Sequence, residues 1–207
     1  MPVPPAPVAA ATSARYVVFD LDGTLLDSDE ALTAPFVSLG VPRESITFGH
    51  VVGDECARLG LELHDYLDRY DVAAAQPFPG VPALLDRLPR WSVCSNKHPR
   101  SGRAELARLA WTPERALFAD AFDGGPKRLE PLLDHLGLGG GEVVFVGDTA
   151  HDRSVAASVG AVFALAGWNP RAEQVPGDVV LEHPHDLLTR PGLLGLLGLP
   201  TSSATSG

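Results

Sequence analysis

Five short apolar runs recur along the chain: Tyr16–Phe19, Trp91–Cys94, Val143–Val146, Ala161–Leu165 and Val179–Leu181. They carry β-branched residues and almost no polar alternation, which is how strands covered on both faces read. Between them the apolar spacing turns helical, over Val81–Leu88, Arg103–Leu109, Leu129–Leu136 and Arg153–Val159. Strand and helix in alternation predict an α/β fold, a Rossmann-like parallel sheet with helices on both faces. In such a sheet the ligand sits outside the carboxyl ends of the strands.

One segment interrupts this rhythm. Residues 30–77 lack a strand pattern and have helical character, clearest over Glu55–Tyr70, and they end at the linker Gln76–Pro82, dense in proline and glycine. The expected organisation is an α/β core of residues 15–29 and 78–190, interrupted by a small helical insertion at 30–77. Residues 1–14, broken by prolines and free of basic residues before Arg15, read as a flexible leader and not a signal peptide. Residues 191–207 read as a second flexible terminus, in which GLLGLLGL has the pattern of a short last helix.

Composition narrows the partners. Of 207 residues, 45% are hydrophobic and 20% charged, the balance of a globular domain. A formal net charge of −10 argues against a uniform basic footprint for nucleic acid. No apolar run approaches the roughly 20 residues of a membrane span. Cys56 and Cys94 lack metal-type spacing and suit two buried thiols in a reducing, cytoplasmic setting.

The chemistry gathers at three strand exits. Asp20 follows the first run, Ser95 the second, and Gly147-Asp148-Thr149 the third. Asp20 opens a cluster with Asp22, Asp27 and Asp29 that has no lysine or arginine beside it. Asp20 and Asp22, two apart in extended chain, share a face and favour a hard cation with oxygen ligands. A calcium loop is excluded by counting: with Gly23 as its invariant glycine, Val18 would occupy the first ligand position. Turn and capping roles explain Asp27 or Asp29, but not two acids directly after VVF. Further on, Asp148 or Thr149 can cap the following helix, with Asp152 on the same side of its first turn. The chain has 14 arginines and only two lysines, Lys97 and Lys127, each close to a strand exit or a helix start. Lysine offers a compact point charge suited to a single phosphate or carboxylate oxygen.

DLDGTLLDS (20–28), a strand ending in SN (95–96), Lys127 before a helix and GDTAHD (147–152) resemble the four ordered motifs of the haloacid dehalogenase-like (HAD) hydrolases. PFPGVPALLDRL (77–88) and SVAASVGA (154–161) are similar to the phosphoglycolate-phosphatase-like branch. The resemblance implies that Asp20 is a nucleophile forming an aspartyl-phosphate, and that Asp22 is the acid and base for the leaving alcohol and the attacking water. It implies Mg²⁺ held by Asp20, the Asp22 backbone carbonyl, Asp148 and Asp152, directly or through water. It assigns phosphate contacts to Ser95, Asn96, Lys127 and the backbone around Gly23. It makes the insertion at 30–77 a reduced helical cap. An acid at position 22 favours a phosphate ester over a halide, which needs no proton to leave.

The function expected is a Mg²⁺-dependent phosphatase of a small phosphomonoester, with phosphoglycolate as the branch's label for the substrate. The alternatives are a sugar-phosphate mutase and a non-catalytic module that binds a phosphorylated ligand. No membrane or nucleic-acid partner is expected, and a monomer and a homodimer both stay open. Within the insertion His50, Arg58, His64 and Arg69 are candidate substrate contacts, and Gly53 is read as the turn facing the site. Lys97 is a surface lysine or a second site cation. His151 is read as solvated loop, Trp168-Asn169, after the run at Ala161–Leu165, as a border of the site or, by preference, a packing tryptophan, and Cys94 as core.

Overall fold

The computed structural model describes residues 16–190 and Leu193. The expectations for residues 1–14, and for the terminal helix within 191–207, lie outside the described residues. The elements of the first half are β1 (Tyr16–Phe19), β2 (Leu26–Asp27), α1 (Asp29–Ser38), α2 (Val52–Arg58), α3 (Leu63–Arg69), β3 (Gln76–Pro77), α4 (Val81–Leu85) and β4 (Trp91–Cys94). After them come α5 (Pro99–Arg108), β5 (Arg115–Leu117), α6 (Glu130–Leu136), β6 (Val143–Gly147), α7 (Ala150–Val159), β7 (Val162–Ala166), β8 (Val179–Leu181) and α8 (Asp186–Thr189).

Six strands form one parallel sheet in the order β5-β4-β1-β6-β7-β8. The chain winds outward from β1 through β4 to β5, then returns to the other side of β1 for β6. That reversal opens a crevice at the carboxyl ends of β1, β4 and β6, where an open α/β sheet binds its ligand. All five predicted strands are present. β5 was not predicted: its three residues, Arg-Ala-Leu, are an edge strand with an exposed Arg115 and no apolar run to announce it.

The core lies on both faces of the sheet, and β1 shows why. Val17 and Phe19 join Val93, Val144 and Val146 on one face, packed by Leu84, Leu106 and Leu187 from α4, α5 and α8. Tyr16 and Val18 join Cys94 and Phe145 on the other, packed by Leu132, Leu133, Val155 and Ala156 from α6 and α7. Successive side chains of a strand face opposite ways, so an unbroken apolar run is what a doubly covered strand requires.

Helices α1 to α3 form a separate lobe with its own apolar cluster of Phe36, Ile46, Cys56 and Tyr66. The Phe36 and Tyr66 rings lie 4.5 Å apart between centroids. The helical stretch expected over Glu55–Tyr70 is divided: α2 ends before Gly60, whose φ of +70° stops a helix as a left-handed residue does, and α3 starts at Leu63. The two crossings between lobe and sheet run side by side, because β2 and β3 pair antiparallel, Leu26 with Pro77 and Asp27 with Gln76. Two-residue strands leave no periodic signal. No helix among the described residues is long and apolar enough to cross a membrane.

Candidate active site

The loop after β1 is shaped by where its leucines go. Leu21, Leu25 and Leu26 are fully buried. The Leu21 carbonyl accepts from the Leu25 and Leu26 amides, both at 2.9 Å, folding the segment into a tight turn. With the leucines pinned in the core, Asp20, Asp22 and Gly23 line the cavity above the sheet. Gly23 has φ +75°, and a Cβ there would run into the Asp148 carboxylate, with Cγ only 2.7 Å away. The position therefore excludes a side chain on two grounds, conformation and space.

Lys127, in the loop before α6, places its Nζ 2.7 Å from Asp20 Oδ2 and 2.6 Å from Asp152 Oδ1. The bridge joins the exit of β1 to the first turn of α7. Asp152 is held from behind: its Oδ2 accepts from the Asp148 amide at 3.1 Å, the Thr149 amide at 2.9 Å and the Thr149 hydroxyl at 2.6 Å. Thr149 in turn caps α7 by accepting from the Asp152 amide at 3.2 Å, a reciprocal cap that starts the helix at Ala150 with Asp152 in its first turn, as the acids after Gly147 led one to expect. Asn96 fixes the lysine's backbone, since its Oδ1 accepts from the Lys127 amide at 2.7 Å. Its Nδ2 donates to the Gly49 carbonyl of the helical lobe at 3.3 Å.

Asp22 turns to a different cation. Its Oδ1 lies 2.6 Å from Nζ of Lys97, whose side chain is 2% exposed. Asp27 and Asp29 pair with Arg171 at 3.4 and 2.7 Å. All four carboxylates of 20–29 thus have cations, each brought by the fold from far along the sequence. Lys97 is no surface lysine.

Comparison with known proteins agrees with this geometry. A family model described as haloacid dehalogenase-like hydrolase matches residues 14–160. The chain belongs to this family. A phosphoglycolate phosphatase of Xylella fastidiosa is 31% identical, with 86% of this chain and 92% of that protein covered. An N-acetylmuramic acid 6-phosphate phosphatase of Pseudomonas aeruginosa is 27% identical over 84% of this chain and 93% of its own. A solved HAD-superfamily hydrolase, subfamily IA, of Geobacter sulfurreducens has a TM-score of 0.62 at 24% identity, covering 86% and 96% of the two chains. The L-2-haloacid dehalogenase of Xanthobacter autotrophicus shares the fold as well, with a TM-score of 0.63 at 18% identity over 86% and 99%.

The donor set of this HAD hydrolase fits a hard divalent cation. Carboxylate oxygens of Asp20, Asp148 and Asp152 lie within 4.8 Å of one another, all three residues buried. One lysine cannot balance three carboxylates. Burial, then the neighbouring Asp20 and Asp152, push the Asp148 carboxyl up to about 8. Burial also raises Asp20, although Lys127 opposes it. Asp152 moves the other way: burial would raise it, but Lys127 and the Thr149 donors hold it below the usual range. Burial works against the Lys127 charge, and Asp152 and Asp20 outweigh it, so the ammonium is held above its ordinary value. Asp148 is aimed by Thr24, whose hydroxyl donates to Oδ1 at 3.1 Å, and by Asn169, whose Nδ2 donates to Oδ2 at 3.1 Å. Asn169 also donates to the Gly23 carbonyl at 2.8 Å, and the Trp168 indole to the Thr24 carbonyl at 2.9 Å. The pair read as packing thus clamps the Asp20 loop onto Asp148. Both follow a fourth strand exit, the position that allows them to be read as a border of the site.

Ser95, Asn96, Lys127, Gly23 and Asp22 all line the cavity, as the motifs suggest. Of the lobe candidates His50 alone lines it, with Nε2 3.0 Å from Glu55 Oε2. Arg58 turns to Glu55 and the Ser45 carbonyl, and Arg69 and the exposed His64 to Asp65. Gly53 lies inside α2; the turn at the cavity is Gly49, with φ +91°. His151 is not solvated loop but the second residue of α7, half-buried against the cavity.

Proposed function

We propose that the protein is a Mg²⁺-dependent phosphatase that hydrolyses a small-molecule phosphomonoester through an aspartyl-phosphate on Asp20. The observation that carries this reading is the Lys127 bridge between Asp20 and Asp152, with Asp148 alongside and Asp22 a separate carboxylate facing the same cavity. The phosphatase names of the relatives support the same class.

Asp20 attacks phosphorus, so that a P–O bond to its carboxylate forms as the bond to the alcohol oxygen breaks. That oxygen leaves with the electron pair and takes the proton of Asp22. Asp22, now a carboxylate, accepts a proton from the water that attacks the aspartyl-phosphate, which regenerates Asp20 and releases phosphate. Lys127 offsets charge on Asp20 and the transferring group. Backbone N–H groups around Gly23, together with Ser95, receive phosphate oxygens. Asn96 acts through Lys127, whose amide it holds. Asp20, Asp148 and the Asp22 carbonyl would hold Mg²⁺, with Asp152 reaching it directly or through water. The ion would supply positive charge that draws in the dianionic ester and screens it from the carboxylates.

The helical lobe of residues 30–77 is the cap, and the cavity it faces sets specificity. Leu32, Phe36, Val52 and Tyr66 give that side an apolar lining. A phosphoglycolate-like ester is the first substrate to assay. The free, buried thiols of Cys56 and Cys94 agree with a cytoplasmic enzyme; its assembly state, monomer or homodimer, follows from no contact in the fold.

The test is phosphate release from a panel of small phosphomonoesters with and without Mg²⁺, using Asp20→Asn as the blank. Metal-dependent release that the blank lacks is the expected result. No release by folded, Mg²⁺-bound protein would transfer the reading to a mutase or a binding module.

A further inference from the structure

Three side chains stand beside the leaving-group acid, Lys97 and Glu105 buried and Tyr70 half-buried, and the mechanism above makes no use of them. Lys97 directs its Nζ to Asp22 Oδ1 at 2.6 Å, to the Tyr70 hydroxyl at 2.9 Å and to Glu105 Oε1 at 3.0 Å. The Tyr70 hydroxyl donates to the same Glu105 oxygen at 2.5 Å. An ammonium has three donors, and all three have acceptors here. Glu105 comes from α5 and is completely buried; Tyr70 follows α3, at the end of the helical lobe. Lys97 itself is tied to the sheet edge, where its carbonyl accepts from the Ala119 amide at 3.1 Å.

We propose that Lys97 is the positioning residue for the Asp22 acid, and that Tyr70 makes this positioning depend on the seat of the helical lobe. The inference rests on the reading of Asp22 as the proton donor to the leaving alcohol. Three elements, the β4 exit, α5 and the lobe, converge on one nitrogen, and that nitrogen fixes one oxygen of Asp22. An exposed ion pair would leave the aspartate free to swing, because solvated side chains do not hold one geometry. Here the lysine of the pair is buried, with all three of its donors taken. The ammonium also lies 5.1 Å from the Tyr70 ring centroid, so the phenol constrains it through its face as well as its hydroxyl. Lysine is the residue the place requires, since a planar guanidinium cannot direct three donors to three converging acceptors.

The proposal predicts a dependence on the leaving group, because p-nitrophenolate departs without a proton whereas an alkoxide needs one. The experiment measures kcat/KM for ethyl phosphate and p-nitrophenyl phosphate in the full chain and in Asp22→Asn, Lys97→Met and Tyr70→Phe. This parameter reports the steps up to departure of the alcohol. General acid catalysis contributes about 10²- to 10⁴-fold, and misplacing the acid forfeits part of it. Lys97→Met is therefore expected to lose at least about tenfold more on ethyl phosphate than on p-nitrophenyl phosphate. Tyr70→Phe, which keeps the ion pair and the ring and deletes the hydroxyl that joins the lobe to Lys97 and Glu105, is expected to show the same selective loss, smaller in size. It also keeps the test decisive if Lys97→Met does not fold. Equal losses on both esters, or none, in the folded variants would overturn the positioning role. If Asp22→Asn itself shows no selectivity for the alkyl ester, the acid reading falls and takes this inference with it. If Asp22→Asn is selective and the other two are not, only this inference fails.

Discussion

Nζ of Lys127 stands 2.7 Å from Asp20 Oδ2, both side chains almost without solvent contact, and the same nitrogen reaches Asp152 at 2.6 Å. The lysine joins two carboxylates that would otherwise repel each other in a desolvated crevice. Removing one member of a buried ion pair costs about 3–5 kcal/mol, because the remaining charge stays buried without its partner. Lys127→Met, close in volume, is therefore expected to abolish phosphate release and lower the urea midpoint of unfolding. Lys127→Arg should recover little of either, since a planar fork does not replace a point charge between two oxygens. An unchanged midpoint in Lys127→Met would refute the structural half of this account.

Gly23 faces Asp148 so closely that a methyl group would overlap the carboxylate, and its φ of +75° adds a backbone penalty for any other residue. A non-glycine residue in the left-handed region costs about 1–2 kcal/mol before the clash is counted. Gly23→Ala should thus shift Asp148, lower the thermal midpoint and reduce phosphate release at every Mg²⁺ concentration. Calorimetry with a Mg²⁺ titration of activity would check both parts. Full activity at saturating Mg²⁺ would show that the loop tolerates the shift.

The sheet was legible because its strands are buried on both faces and so carry unbroken apolar runs, whereas β5, with Arg115 exposed at the edge, was not. The site acids were legible because they sit directly after those runs. Of their partners only Lys127, for Asp20, was legible, through the resemblance of its motif. Nothing near Asp22 in sequence points to Lys97, Glu105 or Tyr70, and nothing near Asp27 or Asp29 points to Arg171; the crossovers of the sheet bring them together. The lobe was read as helical from its composition, but its break at Gly60 depends on a single left-handed residue. His50 enters the cavity while Arg58 does not, because Glu55 binds both and only the fold decides which one faces inward.

Glu55 makes a pH prediction for the lobe. Its carboxylate accepts from Arg58, from the Thr47 amide and hydroxyl, and meets His50; the Arg58 bond first, with burial opposing it, then the Thr47 amide, lower it to about 2. A group whose folded value lies below its unfolded value of 4.5 lends stability above that pH and loses it as the pH falls toward about 2. The thermal midpoint should fall more steeply between pH 4.5 and 2 in the wild type than in Glu55→Gln, whose neutral amide lacks this titration. Parallel curves for the two proteins would show that Glu55 is not a source of acid sensitivity.

Metal binding should be measurable without turnover. Asp20, Asp148 and Asp152 leave a buried excess of negative charge that Lys127 alone does not balance. A ligand at a hundred times its Kd stabilises the folded state by about 2.7 kcal/mol when the unfolded chain does not bind it. Mg²⁺ added to chelator-treated protein should therefore raise the thermal midpoint, and Asp148→Asn should abolish the rise. Asn169→Ala separates aiming from ligation, because it deletes the donor to Asp148 Oδ2 and to the Gly23 carbonyl while leaving the carboxylates in place. That variant should need more Mg²⁺ for the same rise and approach the same plateau. A midpoint in the wild type that ignores Mg²⁺, with Ca²⁺ and Mn²⁺ equally inert, would remove the cation from this site.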